Sequence, residues 1–407
     1  VVFGKLRPVK AVGTFVKDVS RWALVPADAR KRRSELVRRW RTIEGYVERF
    51  RFNEYVRRGS RLLVVGVGAA YPYVVESLKL LRAEDVSTLK LSTTVPIPRK
   101  LVLDALSEHE KVLVVEELEP VVEMLIKKAA YEEGLRVSIH GKDLVPVEGE
   151  LSLEPVAEAI DRVLGLNRLG GLWEPAEPSA RVQLPPRPPV LCAGCPHRAT
   201  FYALKRAVNR LGVKPVYSGD IGCYSLGLLK PFEMQDTLVD MGSSIGLASG
   251  FAHVLKDRLV VAIIGDSTFF HAGIPGLINC VYNRAPVLVL VMDNGVTAMT
   301  GHQPHPGTGA GPKGERREAV KVEDVATAAG LKFVGVCDPF DVKLAERVLE
   351  EAIAYVIKER RSALVVARRP CSLIARATTP GERAKPLPYT VDVERCVGCG
   401  ACYNALA

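Results

Sequence analysis

Residues 259–264 form an apolar run of strand length that ends on Gly265-Asp266-Ser267, and residues 287–292 form a second that ends on Asp293-Asn294. Twenty-five residues separate Ser267 from Asp293. In an open parallel sheet, ligands bind in the crevice at the carboxyl ends of the strands, so both turns can converge on one place. A carboxylate and an amide oxygen at such strand ends suit Mg²⁺, which takes few protein oxygens and fills its octahedron with phosphate oxygens and water. Asp and Asn are also favoured in ordinary strand-to-helix turns. What distinguishes this pair is its surroundings: Ser218-Gly219-Asp220-Ile221-Gly222-Cys223, Met241-Gly242-Ser243-Ser244-Ile245-Gly246 and Thr300-Gly301-His302-Gln303. Their glycines let backbone approach a ligand closely.

Apolar and amphipathic segments alternate along the chain in the β-α pattern of a parallel sheet, which predicts an α/β fold with two parallel-sheet domains. Strands are expected at 62–67, 112–115 and 136–139, with helices at 73–82 and 120–133, and again at 215–218, 259–264, 287–292 and 363–367. The expected divisions are 1–58, the tail of a truncated domain plus a helical linker over 27–57; 59–165, the first α/β domain; 166–189, a Pro-rich linker; 190–378, the second domain; and 388–407, an incomplete cysteine module. A composition of 48% hydrophobic and 25% charged residues is globular. The apolar runs fall well short of the roughly 20 residues of a membrane helix, so no membrane span is expected. Much of the net charge of +10 sits in 30–33, 38–41 and 57–61. That pattern reads as a solvated helix face or a dock for an acidic protein, and not as a nucleic-acid surface.

The nine cysteines, with no secretory leader, favour metal or cluster ligation in a reducing compartment, hence the cytoplasm. Cys192, Cys195, Cys223 and Cys371 border the second sheet and suit one [4Fe-4S] cluster, a four-thiolate zinc site or a purely structural C-x-x-C. Cys396, Cys399 and Cys402 are spaced C-x2-C-x2-C, the opening of a ferredoxin-type module whose fourth ligand would lie beyond Ala407. Cys280 and Cys337 read as buried structural thiols. Among the histidines, His197, His302 and His305 fall in loops around the proposed crevice, and His302 is the candidate for proton exchange. His109, His140 and His253 are expected on surface elements. Glu116-Glu117 follows a strand and is either a functional cluster or the acidic first turn of a helix.

The Gly265-Asp266-Ser267 turn followed by Asn294 resembles the thiamine-diphosphate signature. Together with segments 192–200, 218–227 and 265–279, it is similar to the indolepyruvate type, alpha subunit, of the thiamine-diphosphate-dependent 2-oxoacid:ferredoxin oxidoreductases, over about residues 15–402. That resemblance implies a pyrimidine-binding tail over 1–58, a transketolase C-terminal-like domain over 59–165 and a thiamine-diphosphate domain over 190–378. It implies Asp266, Asn294 and the Val296 carbonyl as Mg²⁺ ligands, with Gly265, Ser267 and Thr268 cradling the diphosphate. Gly219, Asp220, Gly242, Ser243, Asn294 and Gly301 would line the cofactor. It further implies a proximal [4Fe-4S] cluster on Cys192, Cys195, Cys223 and Cys371. The partners implied are a small beta subunit, ferredoxin, coenzyme A and an aryl 2-oxoacid, which is converted to aryl-acetyl-CoA and CO2. The activating glutamate would precede Val1, so residues 1–407 alone are expected to bind the cofactor weakly and not to turn over. Two other readings stay open, a non-oxidative thiamine decarboxylase or synthase and a non-catalytic electron-transfer subunit; the cysteines argue against the first.

Overall fold

When helices cover both faces of a parallel sheet, every strand side chain is buried whichever way it points, and the strands read as unbroken apolar runs. The computed structural model, which describes residues 13–169, 187–311, 313–377 and 391–399, has this architecture twice. The chain divides into two compact units, Val1–Gln183 and Leu184–Ala407.

In the first unit, α1 (Val19–Trp22) and α2 (Pro26–Val47) precede β1 (Glu54–Val56), β2 (Leu62–Val67), α3 (Ala70–Leu80), β3 (Ser87–Leu91) and α4 (Arg99–Ser107). Then come β4 (Lys111–Val115), α5 (Val121–Glu132), β5 (Ser138–His140) and α6 (Leu153–Leu164). The sheet runs β1-β3-β2-β4-β5, parallel except for β1, which pairs antiparallel with β3. Along β2, Leu62 and Val64 enter one core while Leu63 and Val65 enter the other, the two-residue period of a strand buried on both sides.

Three expectations are corrected here. The helix predicted over 27–57 stops at Val47, because Asn53 turns the chain: its Nδ2 donates to the Val47 carbonyl and its Oδ1 accepts from Ser92 N at 2.8 Å. Residues 54–56 then become an edge strand, so Arg57 and Arg61 are not on the helix. β3 escaped notice because Ser87, Thr88 and Lys90 break its apolar run. His109 is buried rather than on the surface, bonded through Nδ1 to the Ala105 carbonyl at 2.7 Å and packed edge-on against Tyr55. Glu116 accepts from Val122 N and Glu123 N, both at 2.8 Å, which makes it the acidic cap of α5.

The second unit holds α7 (Pro196–Leu211), β6 (Pro215–Ser218), a 3₁₀ turn (Cys223–Leu228), α8 (Ser243–Val254), β7 (Leu259–Gly265) and α9 (Asp266–Thr268). A π-type turn (Phe269–Gly273) leads into α10 (Ile274–Tyr282), β8 (Val287–Asp293), α11 (Val322–Ala328), β9 (Phe333–Cys337), α12 (Val342–Glu359), β10 (Ala363–Arg368) and α13 (Ser372–Ala377). Its sheet is wholly parallel, in the order β6-β7-β8-β10-β9. Leu259, Val261 and Ile263 of β7 join Leu288, Leu290 and Met292 of β8 in the core under α7 and α12, while Val260, Ala262 and Ile264 fill the opposite core under α8 and α10. Cys280 and Cys337 are buried in these cores, as expected of structural thiols. The register aligns Gly265 with Met292 and Asp293 with Arg368, so β7, β8 and β10 end level with one another. Among the described residues no helix is long and apolar enough to cross a membrane.

Ile263 is fully buried at the centre of β7. Ile263→Ala should destabilise the second unit by about 2–5 kcal/mol, measured by chemical denaturation; a loss below about 1 kcal/mol would contradict this packing.

Candidate functional site

β7 ends at Gly265, and the next residue, Asp266, stands at the top of the sheet. A Cβ on Gly265 would stand 2.6 Å from Cε1 of Tyr224, so no larger residue fits. Asp266 is 4% exposed, and both oxygens of its carboxylate accept hydrogen bonds. Oδ1 accepts from Ser267 N at 2.8 Å; Oδ2 accepts from Gly295 N at 2.8 Å and Asn294 N at 3.1 Å. Asp266 therefore fastens the end of β8 to the end of β7. Nε2 of His305 lies 3.1 Å from the same Oδ2, off the line of a good hydrogen bond. Gly307 N donates to Nδ1 of His305 at 3.1 Å, which fixes the ring with its Nε2 edge toward the carboxylate. Burial acts to raise the Asp266 carboxyl, but His305 and the Ser267 N–H outweigh it and hold it below the usual carboxylate range.

Asn294 follows directly. Its Oδ1 accepts from Val296 N at 3.1 Å, and its Nδ2 lies 3.2 Å from Nε2 of His197. Burial pushes the His197 imidazole down to about 4, so near neutral pH it is an uncharged acceptor for that amide. Ser267 Oγ accepts from Thr297 Oγ1 at 2.8 Å, which leaves its own O–H free to donate. One cleft is lined by Gly265, Asp266, Ser267, Thr268, Asn294 and Val296, together with His197, Cys223 and Tyr224. Here the two strand ends expected to converge do so.

Other predicted residues stand behind the cleft. Asp220 is fully buried, and its carboxylate accepts from Ile221 N at 2.9 Å, Gly242 N at 2.8 Å and Ser244 N at 3.2 Å. It thereby organises the start of α8, although burial raises its carboxyl above the ordinary value. Gly242 sits at φ 98°, and a Cβ there would meet the Ala272 Cβ at 2.3 Å. Gly219 packs against Gln235 and donates to the Thr237 carbonyl, and Ser243 bonds to Asp240. Gly301 and His302 form an exposed turn at φ 122° and 64°, outside the lining. The histidines that the fold places at Asp266 and Asn294 are His305 and His197.

The donor set fits a hard cation. Asp266 is a buried carboxylate, and among the described residues neither lysine nor arginine comes within ion-pair distance of it. Its charge is left to be matched from the cleft, and the neighbouring Asn294 and Val296 offer further oxygens. The thiols are less gathered. Burial pushes Cys195 up to about 11, with Cys192 and Cys223 adding to the rise; burial likewise raises Cys223, with Cys371 and Cys192 adding. Among the described residues no group of three or more His, Cys, Asp or Glu side chains is close enough to hold a metal ion. Cys396 and Cys399 are exposed, and Cys402 lies outside the described residues.

Sequence reasoning missed Arg368. At the end of β10 it bonds Asp293 Oδ2 through Nε at 2.7 Å and grips Glu323 with both terminal nitrogens. A charged residue ending an apolar strand was the available signal; its partner on α11 left none. For the residue behind the cleft, Asp220→Ala should cost about 3 kcal/mol or more in stability because three N–H groups lose their acceptor, while Asp220→Asn, which keeps one oxygen, should cost less. Thermal or chemical denaturation distinguishes the two, and equal losses would contradict the capping role.

A family model described as the C-terminal TPP binding domain of thiamine pyrophosphate enzymes matches residues 220–367. The chain is 41% identical over 409 residues to indolepyruvate oxidoreductase subunit IorA of Thermococcus kodakarensis, covering 97% of this chain and 62% of that protein. It is 40% identical over 413 residues to the Pyrococcus abyssi protein of the same name, covering 97% and 62%. A 2-oxoglutarate synthase subunit, KorB of Archaeoglobus fulgidus, is 25% identical over 177 residues, 41% of this chain and 66% of its own. The chain thus spans 62% of the length of the two IorA relatives. The strand-end carboxylate and amide lie inside the matched domain, and over 97% of its length the chain is similar to the IorA subunits of indolepyruvate oxidoreductases.

Proposed function

We propose that this chain forms the cofactor-binding part of a cytoplasmic enzyme that oxidatively decarboxylates an aryl 2-oxoacid such as indolepyruvate. The products are an aryl-acetyl-CoA, CO2 and reduced ferredoxin. The observation that carries the reading is the junction of Asp266 with Asn294 and Gly295 at the ends of β7 and β8. Asp266, Asn294 and the Val296 carbonyl would hold Mg²⁺, and Gly265, Ser267 and Thr268 the diphosphate. Thiamine diphosphate, when bound, supplies the nucleophilic carbon and the electron sink for decarboxylation.

The chain's own residues prepare that surface. The free O–H of Ser267 is oriented by Thr297 toward an acceptor in the cleft. Tyr224 closes one wall, its hydroxyl donating to the Ile221 carbonyl at 3.0 Å, and Met241, Met292 and Met299 add apolar lining. Uncharged His197 accepts from Asn294 and fixes its amide.

Oxidation requires a route for electrons. Cys192, Cys195, Cys223 and Cys371 are free thiols, of which Cys223 lines the cleft, and would be the donors of a [4Fe-4S] cluster once brought together. Cys396, Cys399 and Cys402 are the donors for a further cluster leading to ferredoxin. A small beta subunit and coenzyme A complete the assembly in this reading.

The test uses the full-length protein, produced anaerobically with its neighbouring small subunit, and follows viologen reduction with indolepyruvate, phenylpyruvate, pyruvate and 2-oxoglutarate, with and without coenzyme A. Reduction that depends on coenzyme A and favours the aryl substrates is expected. Aldehyde formed without viologen reduction would instead establish a non-oxidative decarboxylase.

A further inference from the structure

Asn294, Gly295 and Val296 contain two of the three oxygen donors proposed for the cation, and Val296 is buried beneath them. The backbone of this loop is also strung between two carboxylates. The single N–H of Gly295 is shared by Asp266 Oδ2 at 2.8 Å and Asp293 Oδ1 at 3.1 Å. Two carboxylates converging on one N–H repel each other. The cation that relieves this is Arg368, whose Nε donates to Asp293 Oδ2 at 2.7 Å. Arg368 is itself immobilised: Nη1 and Nη2 donate to Glu323 Oε1 and Oε2 at 2.9 and 2.7 Å, the parallel fork in which a guanidinium binds a carboxylate most directionally. Backbone continues the clamp, with Arg369 N donating to the Asp293 carbonyl at 3.0 Å and Cys371 N to the Asn294 carbonyl at 2.9 Å.

Resting on the cation site proposed above, we infer that Arg368 is a positioning residue for it: held by Glu323, it fixes Asp293, and through Asp293 the Asn294–Val296 loop. It touches neither cofactor nor substrate in this scheme. Outer partners of this kind are commonly worth about 10–100-fold in the affinity of the site they orient. Lysine could reach Asp293 but lacks the planar fork for Glu323, so it should restore only part of the effect.

The experiment is calorimetric titration of the full-length protein with thiamine diphosphate in the presence of Mg²⁺, for wild type, Arg368→Gln, Arg368→Lys, Glu323→Gln, Asp293→Asn and the Arg368→Gln/Asp293→Asn double variant. Arg368→Gln should weaken binding about 10–100-fold, with Arg368→Lys and Glu323→Gln in between. The double variant should bind no more weakly than Asp293→Asn alone, because the arginine acts through that carboxylate. General loss of structure would not produce that non-additivity, and thermal melts of the apo variants identify any that fail to fold; Glu323→Gln then carries the test from α11. Unchanged affinity in Arg368→Gln, or strictly additive losses, would overturn the inference. Failure of the wild type to bind thiamine diphosphate would instead overturn the underlying site reading.

Discussion

The candidate site depends on one buried carboxylate. Asp266 projects from the end of β7 and accepts the backbone N–H groups of Asn294 and Gly295 at the end of β8, so it joins adjacent strands beyond the point where their ladder stops. A carboxylate in that position is costly unless its oxygens are satisfied. Here three backbone N–H groups satisfy them, with Nε2 of His305 3.1 Å away and, among the described residues, no lysine or arginine within ion-pair distance. The arrangement keeps the carboxylate ionised and leaves its charge directed at the cleft. An arginine at this junction would have neutralised the group and closed the site to a cation.

Around that junction the charged groups form successive tiers. Asp293 lies beside Asp266 and is raised by burial and by the charge on Asp266, with Arg368 working against the rise. Glu323 in turn braces Arg368. On the other flank Asp220 performs the same office for α8 that Asp266 performs for β8, tying Gly242 N and Ser244 N to the end of β6. The cleft floor is therefore backbone held by side-chain carboxylates, and the residues that hold it need not touch a ligand. Gly219, Asp220, Gly242 and Ser243, expected from the sequence to line the cofactor, stand outside the cleft lining.

What could be read in the sequence follows from how local each signal is. The unbroken apolar runs of β7 and β8 and the Asp and Asn that end them are local, and the parallel sheet converts that spacing into contact. The end of α2 was not legible, since Asn53, which bonds the last helical carbonyl, is held by Ser92 and Thr93 on a distant segment. β3 was hidden by polar residues whose burial is a product of tertiary packing, as with Ser87, whose hydroxyl bonds the backbone of Arg58. His302 looked like the reactive histidine because it lies in a glycine-rich turn, but the fold directs that turn to solvent and seats His197 and His305 at the carboxylate and amide instead. Arg368 was invisible as a site residue because its partners come from β8 and α11, far apart in the chain.

The most direct test of the account is the cofactor content of full-length protein purified anaerobically, with and without Asp266→Ala, assaying bound thiamine diphosphate by chromatography and Mg²⁺ by mass spectrometry. The account predicts near-stoichiometric amounts of both in the wild type and loss of both in the variant. A wild type devoid of thiamine diphosphate, or a folded Asp266→Ala protein that retains it with its Mg²⁺, would contradict the central claim that the β7 and β8 ends form the cofactor site.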